Sequence, residues 1–139
     1  DSRCRIQTAD GRQFALATDL GVVTPCVGEH LLGAEFVVLE SNHDREMLRN
    51  GPYPAYLKRR ILAGTGHLSN GDCAAFLPEL ARAGAKRFLL AHLSGENNTP
   101  SLARQEAVSA LSAAGYQEGT GFWLDVAPVE NQEGKSIIF

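Results

Sequence analysis

One histidine stands where a side chain could reach a substrate. His67 lies in the stretch GHLSN (66–70), between a glycine and the start of a predicted helix. An imidazole has a pKa of about 6.5, so it can give up or take a proton near neutral pH. The N-terminus of the helix behind it favours an anion such as phosphate. His67 is therefore a candidate general acid, and a loop residue without a chemical role is the alternative.

Polar residues also stand at the ends of three predicted strands. Asp19 follows the strand RQFALAT (12–18), Glu40 ends the strand EFVVLE (35–40) and His92 ends the strand KRFLLAH (86–92). If these strands are neighbours, the three side chains share the sheet edge at which open α/β sheets bind ligands. Carboxylate and imidazole ligands together suit zinc, manganese or iron. Taken singly, such an Asp is typical of turns, and a lone His is typical of a hydrogen-bonded structural residue.

Two further groups could contact a substrate. The stretch YLKRR (56–60) places Lys58 and Arg59 beside tyrosines, which would supply phosphate pairing and base stacking in a nucleic-acid site. A solvated helix face explains the same charges. His43 is close to Glu40 in sequence, and it is either a substrate contact or a loop-stabilising residue.

Hydrophobic patterning predicts the elements that hold these residues. The predicted strands are CRIQT (4–8), RQFALAT (12–18), EFVVLE (35–40), KRFLLAH (86–92), GFWLDVAP (121–128) and KSIIF (135–139), with a turn at Asp10-Gly11 between the first two. The predicted helices are CVGEHLLGA (26–34), HDREMLRNG (43–51), YPAYLKRRIL (53–62), SNGDCAAFLPELARAG (69–84) and TPSLARQEAVSALSAAG (99–115). This alternation is typical of an α/β or layered α+β fold with a mixed sheet flanked by helices.

Length and composition bound the remaining possibilities. A chain of 139 residues, 44% of them hydrophobic, is enough for one domain with a buried core. Its net charge of −3 gives no overall attraction to nucleic acid, so any phosphate site must be local. The three cysteines, Cys4, Cys26 and Cys73, form no CxxC pair, which predicts semi-buried thiols in a reducing cytoplasm. No apolar run reaches the roughly 18 residues of a membrane span, no signal peptide is evident, and a start without methionine suggests a processed product.

Five stretches together resemble the C-terminal half of metallo-β-lactamase-fold hydrolases, in particular the bacterial proteins described as WalJ-type exonucleases. They are ATDLG (17–21), VLESNHD (38–44), NGPYPAYLKRRIL (50–62), GHLSN (66–70) and LAHLSGENNTP (90–100). The order and spacing of GHLSN and AHLSxENN are quite specific to that subgroup. The resemblance implies a four-layer αββα sandwich with two divalent metal ions, zinc or manganese, between its sheets.

The resemblance also implies roles for individual residues. Asp19 matches the carboxylate that bridges the two metals, and His92 matches the last histidine ligand. His67 matches a histidine that related phosphodiesterases place near the leaving group, and Glu40 matches the glutamate that orients it. A metal-bound hydroxide would attack the phosphodiester, and His67 would protonate the leaving oxygen.

The HxHxDH motif that supplies most metal ligands in this family does not occur in the sequence. We therefore expect residues 1–139 to be the C-terminal portion of a larger domain, inactive alone and binding metal weakly or not at all. The sheet face toward the missing half should be apolar, and that half or a second copy of the chain should cover it. The parent is expected to be a nuclease acting on DNA or RNA. An acyl or thioester hydrolase of the same fold and a non-catalytic interaction fragment are the alternatives.

Overall fold

The computed structural model describes residues 2–18, 20–62 and 67–128. Within these residues five strands form one mixed sheet in the order β1–β2–β3–β4–β5. The strands β1 (Ser2–Gln7) and β2 (Gln13–Thr18) form an antiparallel hairpin. The remaining strands are parallel to β2, and they are β3 (Phe36–Glu40), β4 (Arg87–Ala91) and β5 (Trp123–Val126). The predicted mixed α/β arrangement is confirmed, and the strand expected over 135–139 lies outside the described residues.

Five helices connect the described strands, because parallel neighbours need a long crossover. They are α1 (Pro25–Leu31), α2 (Arg45–Asn50), α3 (Ala55–Leu62), α4 (Asn70–Arg82) and α5 (Pro100–Ala113). The helix α4 begins as its sequence predicts, since Ser69 Oγ accepts the backbone N–H of Asp72. The Asp72 carboxylate pairs with Arg45 of α2 at 2.8 Å. None of the described helices is long and apolar enough to cross a membrane.

The core lies between one face of the sheet and the helices α1, α4 and α5. The strand register aligns its buried side chains in rows across the sheet, and these are Ala15, Ala17, Val37, Leu39, Phe88, Leu90 and Leu124. The helices bury Val27, Leu31, Cys73, Leu77, Leu80, Ala103, Ala107 and Leu111 against them. Each large side chain buried in this way contributes about 1.5–3 kcal/mol to folding. The core therefore fixes the sheet edge at which the candidate site residues stand.

The opposite sheet face is also largely apolar. Alternate residues of the same strands lie on it, and they include Ile6, Phe14, Leu16, Phe36, Val38, Leu89 and Trp123. Ile6 is 55% exposed and Trp123 41% exposed, whereas most of the others are half-buried. An alternating strand whose second face is also apolar is typical of a sheet that is covered on both sides.

Candidate active site

The parallel pairing of β3 and β4 brings Glu40 and His92 together. Glu40 is in register with Ala91, so the residue that follows β4 lies beside the end of β3. The Glu40 side chain is fully buried. A buried carboxylate is costly unless hydrogen-bond donors or a positive charge surround it. The groups that contact Glu40 therefore define the site.

Glu40 is held between two histidines and a backbone amide. Its Oε1 lies 2.5 Å from Nδ1 of His92, and its Oε2 lies 3.3 Å from Nδ1 of His67. Oε2 also accepts the backbone N–H of Leu68 at 2.7 Å. The two imidazole rings meet edge to face, with their centroids 5.3 Å apart. Because Nδ1 of each ring meets the carboxylate, Nε2 of each ring faces away from it.

The donor atoms of Glu40, His67 and His92 fit a divalent metal. One ligand atom from each of the three lies within 4.8 Å of the others. A carboxylate oxygen and two imidazole nitrogens are a donor set that zinc, manganese and iron accept. A carboxylate behind an imidazole is also the usual partner of a metal-bound histidine, whose tautomer and orientation it fixes. Glu40 thus fits either as a ligand or as the group behind two ligands.

His92 has an unusual backbone conformation for a residue other than glycine. Its φ is 61°, in the left-handed region, which costs a residue with a Cβ roughly 1–2 kcal/mol. Two contacts hold it there: Asn42 Nδ2 donates to the His92 carbonyl at 2.8 Å, and the ring meets Glu40. Local strain of this kind clusters at functional sites, because surrounding contacts must enforce it.

A buried amide network ties together the loops that carry the two histidines. Asn70 Nδ2 donates to Asn98 Oδ1 at 2.8 Å, and Ser41 Oγ donates to Asn70 Oδ1 at 2.6 Å. Asn98 Nδ2 donates to the Ser41 and Asn42 carbonyls at 2.9 and 3.1 Å. Asn42, two residues after β3, and Asn98, in the segment between β4 and α5, were the available signal for such a network.

The two imidazoles open into a cleft of about 530 Å³. One side of the cleft is mainly polar and is formed by the loops after β3 and β4 and by the segment before α4, with Asn42, His43, His67, His92, Ser94 and Asn97 and the apolar Leu93. The other side comes from α2, α3 and the segment between them, with Leu48, Tyr53, Leu57, Arg60 and Ile61. This volume is within the range of small-molecule sites, roughly 300–1,000 Å³.

His43 lies at the polar side of this cleft but is almost entirely buried, with 2% exposure. Burial, together with the nearby positive charge of Arg45, lowers its pKa to about 4. Its ring is therefore neutral at physiological pH. Its backbone carbonyl accepts the N–H of Asn70 at 2.8 Å, which joins the loop after β3 to the start of α4.

Of the predicted cations on α3, the structure directs Lys58 away from the cleft. Lys58 Nζ donates to the Arg49 carbonyl at 2.8 Å, and Arg59 is exposed. The cleft is lined by the next residue, Arg60, which the sequence did not single out. Asp19, the predicted bridging metal ligand, lies outside the described residues, so that assignment stays a prediction.

The chain is similar to named exodeoxyribonucleases over most of its length. No protein-family model matches the chain. It is 42% identical over 113 residues to the exodeoxyribonuclease YycJ of Bacillus anthracis, an alignment that covers 81% of this chain and 43% of YycJ. It is 39% identical over 120 residues to the exodeoxyribonuclease WalJ of Streptococcus pneumoniae serotype 2, covering 86% of this chain and 45% of WalJ. The chain is a YycJ/WalJ homologue.

The resemblance to WalJ-type proteins is therefore confirmed, and the fold agrees with it. The crystal structure of Zn²⁺-bound PqqB from Methylobacterium extorquens, which has the metallo-β-lactamase fold, matches 89% of this chain with a TM-score of 0.50 and 22% identity. That match covers 40% of the PqqB chain. The present chain thus spans less than half the length of YycJ, WalJ and PqqB.

Proposed function

We propose that this chain carries part of the active site of a metal-dependent phosphodiesterase that hydrolyses DNA. The observation that supports this most is the buried Glu40 carboxylate between Nδ1 of His67 and Nδ1 of His92. A phosphodiester hydrolase needs a metal site and a proton donor side by side. DNA as the substrate follows from the homologues, which are named exodeoxyribonucleases.

His92 is proposed as a metal ligand through Nε2, together with Asp19 and with histidines supplied from outside this chain. The bound ions, two in number and either zinc or manganese, would act as Lewis acids and lower the pKa of a water molecule. Glu40 suits the position behind the His92 ring, because its Oε2 already accepts the Leu68 N–H and meets His67. A carboxylate with this many partners orients ligands better than it ligates.

His67 is proposed as the general acid. Its Nε2 faces away from Glu40, so a proton on Nε2 is available to a leaving oxygen in the cleft. The contact between His67 Nδ1 and the Glu40 carboxylate holds the ring in one orientation. His43 is proposed as a neutral substrate contact, whereas Lys58 and Arg59 would meet DNA only beyond the cleft.

Activity of the His67→Ala variant tests this proposal. DNA cleavage and thioester hydrolysis are measured with manganese or zinc, on the chain together with the N-terminal portion of YycJ, which would supply the missing ligands. Removing a general acid should reduce DNA cleavage by about 10²–10⁴-fold and leave thioester hydrolysis within a few-fold. The matched control is His30→Ala on α1, at a distance from the cleft. If His67→Ala impaired thioester hydrolysis and spared DNA cleavage, an acyl hydrolase would be favoured. If neither substrate were turned over in the presence of metal, an interaction fragment would be favoured.

Residues 1–139 are proposed to be the C-terminal portion of a larger metallo-β-lactamase unit. The absent HxHxDH motif, the apolar second sheet face and the coverage of less than half of each relative support this. The occupant of that face is proposed to be the complementary half, with a second copy of the chain as the alternative. Intact masses of everything in a purified native sample, under denaturing conditions, test the assignment. A second polypeptide carrying HxHxDH supports it, and a single 15.0 kDa species that is active would overturn it.

A further inference from the structure

The cleft is larger and more apolar than cleavage of a phosphodiester requires. The histidines and the loop residues beside them already provide a polar surface for one phosphate. The opposite side adds three half-buried side chains with large apolar surfaces, Tyr53, Leu57 and Ile61, and the fully buried Leu48. Neither proton transfer nor metal binding uses these side chains. They indicate that the cleft takes a larger part of the substrate than the reacting phosphate.

The apolar side is one continuous helical stripe with a single cation in it. Tyr53, Leu57, Arg60 and Ile61 are spaced i, i+4, i+7 and i+8, which places them along one face of α3 and the turn before it. Tyr56, which is 65% exposed, and Arg59, which is also exposed, do not line the cleft. Of the two tyrosines in this segment, Tyr53 lines the cleft and Tyr56 is exposed to solvent.

This stripe has the chemistry that recognises a nucleotide. An aromatic ring and aliphatic side chains contact the face of a nucleobase and the sugar, and a guanidinium pairs with a phosphate. Tyr53 is half-buried, so its ring is already ordered against the protein before a ligand arrives. The histidines stand across the same cleft, where the scissile phosphate would lie.

We propose that the face of α3 formed by Tyr53, Leu57, Arg60 and Ile61 binds the base and sugar of one unpaired terminal nucleotide of DNA. This inference rests on the proposed function, because it assumes that the phosphate of that nucleotide lies at His67 and His92. The substrate class is then a DNA end whose last nucleotide is out of the helix stack. A duplex end would have to open its terminal pair to enter, so a mismatched end should bind better than a paired one.

Binding of short DNA to the chain together with the N-terminal portion of YycJ, in a His67→Ala background that slows cleavage, tests the proposal without requiring turnover. The probes are fluorescein-labelled oligothymidylates of five nucleotides, with Mn²⁺ present, and the readout is fluorescence anisotropy. Two further probes lack the base of the 5′-terminal or the 3′-terminal nucleotide. One of them should bind about 5- to 150-fold more weakly than the intact oligomer, the range that corresponds to loss of one stacked base.

Substitutions assign the difference to α3. Tyr53→Ala should remove the discrimination between the intact and the abasic probe, and Tyr53→Phe should keep it. Tyr56→Ala is the matched control, since this tyrosine is on the solvent side of the same helix. Circular dichroism checks each fold, and if Tyr53→Ala unfolds the chain, Leu57→Ala replaces it with the same expected loss of discrimination.

The outcomes separate this proposal from the one it rests on. Equal binding of intact and abasic probes, weakened by Arg60→Ala, would leave a phosphate site standing and overturn the nucleotide site. No binding of any probe would overturn both. If both Tyr53→Ala and Leu57→Ala still bound the intact probe more tightly than the abasic probe, the base would not bind to this face of α3. Equal binding of duplexes with mismatched and paired ends would overturn the requirement for an unpaired nucleotide.

Discussion

Oε1 of Glu40 lies 2.5 Å from Nδ1 of His92, across the gap between the ends of β3 and β4. The other oxygen of the same carboxylate faces His67, at the start of the segment that leads into α4. One buried anion therefore orients two imidazoles that are 27 and 52 residues away from it in sequence. This shared contact makes the positions of the two histidines interdependent.

The Glu40→Gln variant should lose this double orientation. An amide offers one acceptor and one donor group, so it cannot accept from Leu68 and both rings as the carboxylate can. In the chain together with the N-terminal portion of YycJ, affinity for zinc should fall by about 10–100-fold, as is usual when the group behind a ligating histidine is lost. Competition with a chromophoric chelator measures the affinity, and nitrogen NMR of the imidazoles measures the tautomers.

Glu35→Gln is the matched control for that experiment. Glu35 precedes β3 at its opposite end and pairs with Arg12 at 2.7 Å, far from the cleft. Its substitution should leave the zinc affinity and both histidine tautomers unchanged. Unchanged tautomers in the Glu40→Gln variant would contradict the role assigned to this carboxylate.

Asn98→Ala should destabilise the chain by about 2 kcal/mol. The substitution removes the Asn98 hydrogen bonds to the Ser41 carbonyl and to Asn70 Nδ2 in a buried environment, whereas the Asn42 carbonyl still accepts the Ser94 N–H. Urea unfolding followed by circular dichroism measures the difference in the free energy of unfolding. Asn50→Ala, on an exposed helix end, should change it by less than about 0.5 kcal/mol. Equal effects of the two substitutions would show that the amide network is not a stabilising feature.

His43 should make the stability depend on pH. Its pKa is lowered by burial to about 4 in the folded chain, against about 6.5 when unfolded. Between these values only the unfolded chain takes up the proton, so stability is lost as pH falls from about 6.5 to about 4. In the wild type the loss of unfolding free energy should approach about 3 kcal/mol. The His43→Gln variant should lack it, because glutamine does not titrate. Urea unfolding of wild type and His43→Gln at pH 4.5–8 measures it, and parallel curves for the two would refute it.

The cysteines should differ in reactivity. Cys4 and Cys26 are exposed, whereas Cys73 is fully buried in α4 and burial raises its pKa to about 12. Since the thiolate is the reactive form, Cys73 should not react in the folded chain at pH 8. Titration with a disulfide reagent should release two equivalents of thiol from native protein and the third only after unfolding. A third equivalent from native protein would mean that α4 opens.

The sequence predicted most of this fold because its local signals agree. Strands and helices follow from periodicity, and the start of α4 follows from the cap at Ser69. The pairing of Glu40 with His67 was expected from a family resemblance. That Glu40 also meets His92 depends on β3 and β4 being neighbours in a particular register, which no local pattern encodes.

The orientation of the cations on α3 could not be predicted from the sequence either. Lys58, Arg59 and Arg60 are adjacent in sequence, so composition alone gives them equal weight. They point in directions about 100° apart around a helix. Only the packing of α3 against the cleft decides that Arg60 lines it while Lys58 meets the Arg49 carbonyl.

The left-handed backbone conformation of His92 costs fold stability, and the chain keeps it at a residue that the proposed chemistry needs. Glycine adopts a φ of 61° without the penalty that a side chain brings, so His92→Gly removes strain from the fold. The same change deletes the imidazole that meets Glu40. The change relieves backbone strain but leaves the buried Glu40 carboxylate with one partner fewer, which costs at least as much. A library selected for resistance to heat would therefore drift toward glycine only where Glu40 is replaced as well, whereas one selected for chemistry would keep both residues. Comparing the two selections would reveal how much fold stability the chain gives up to hold this one side chain.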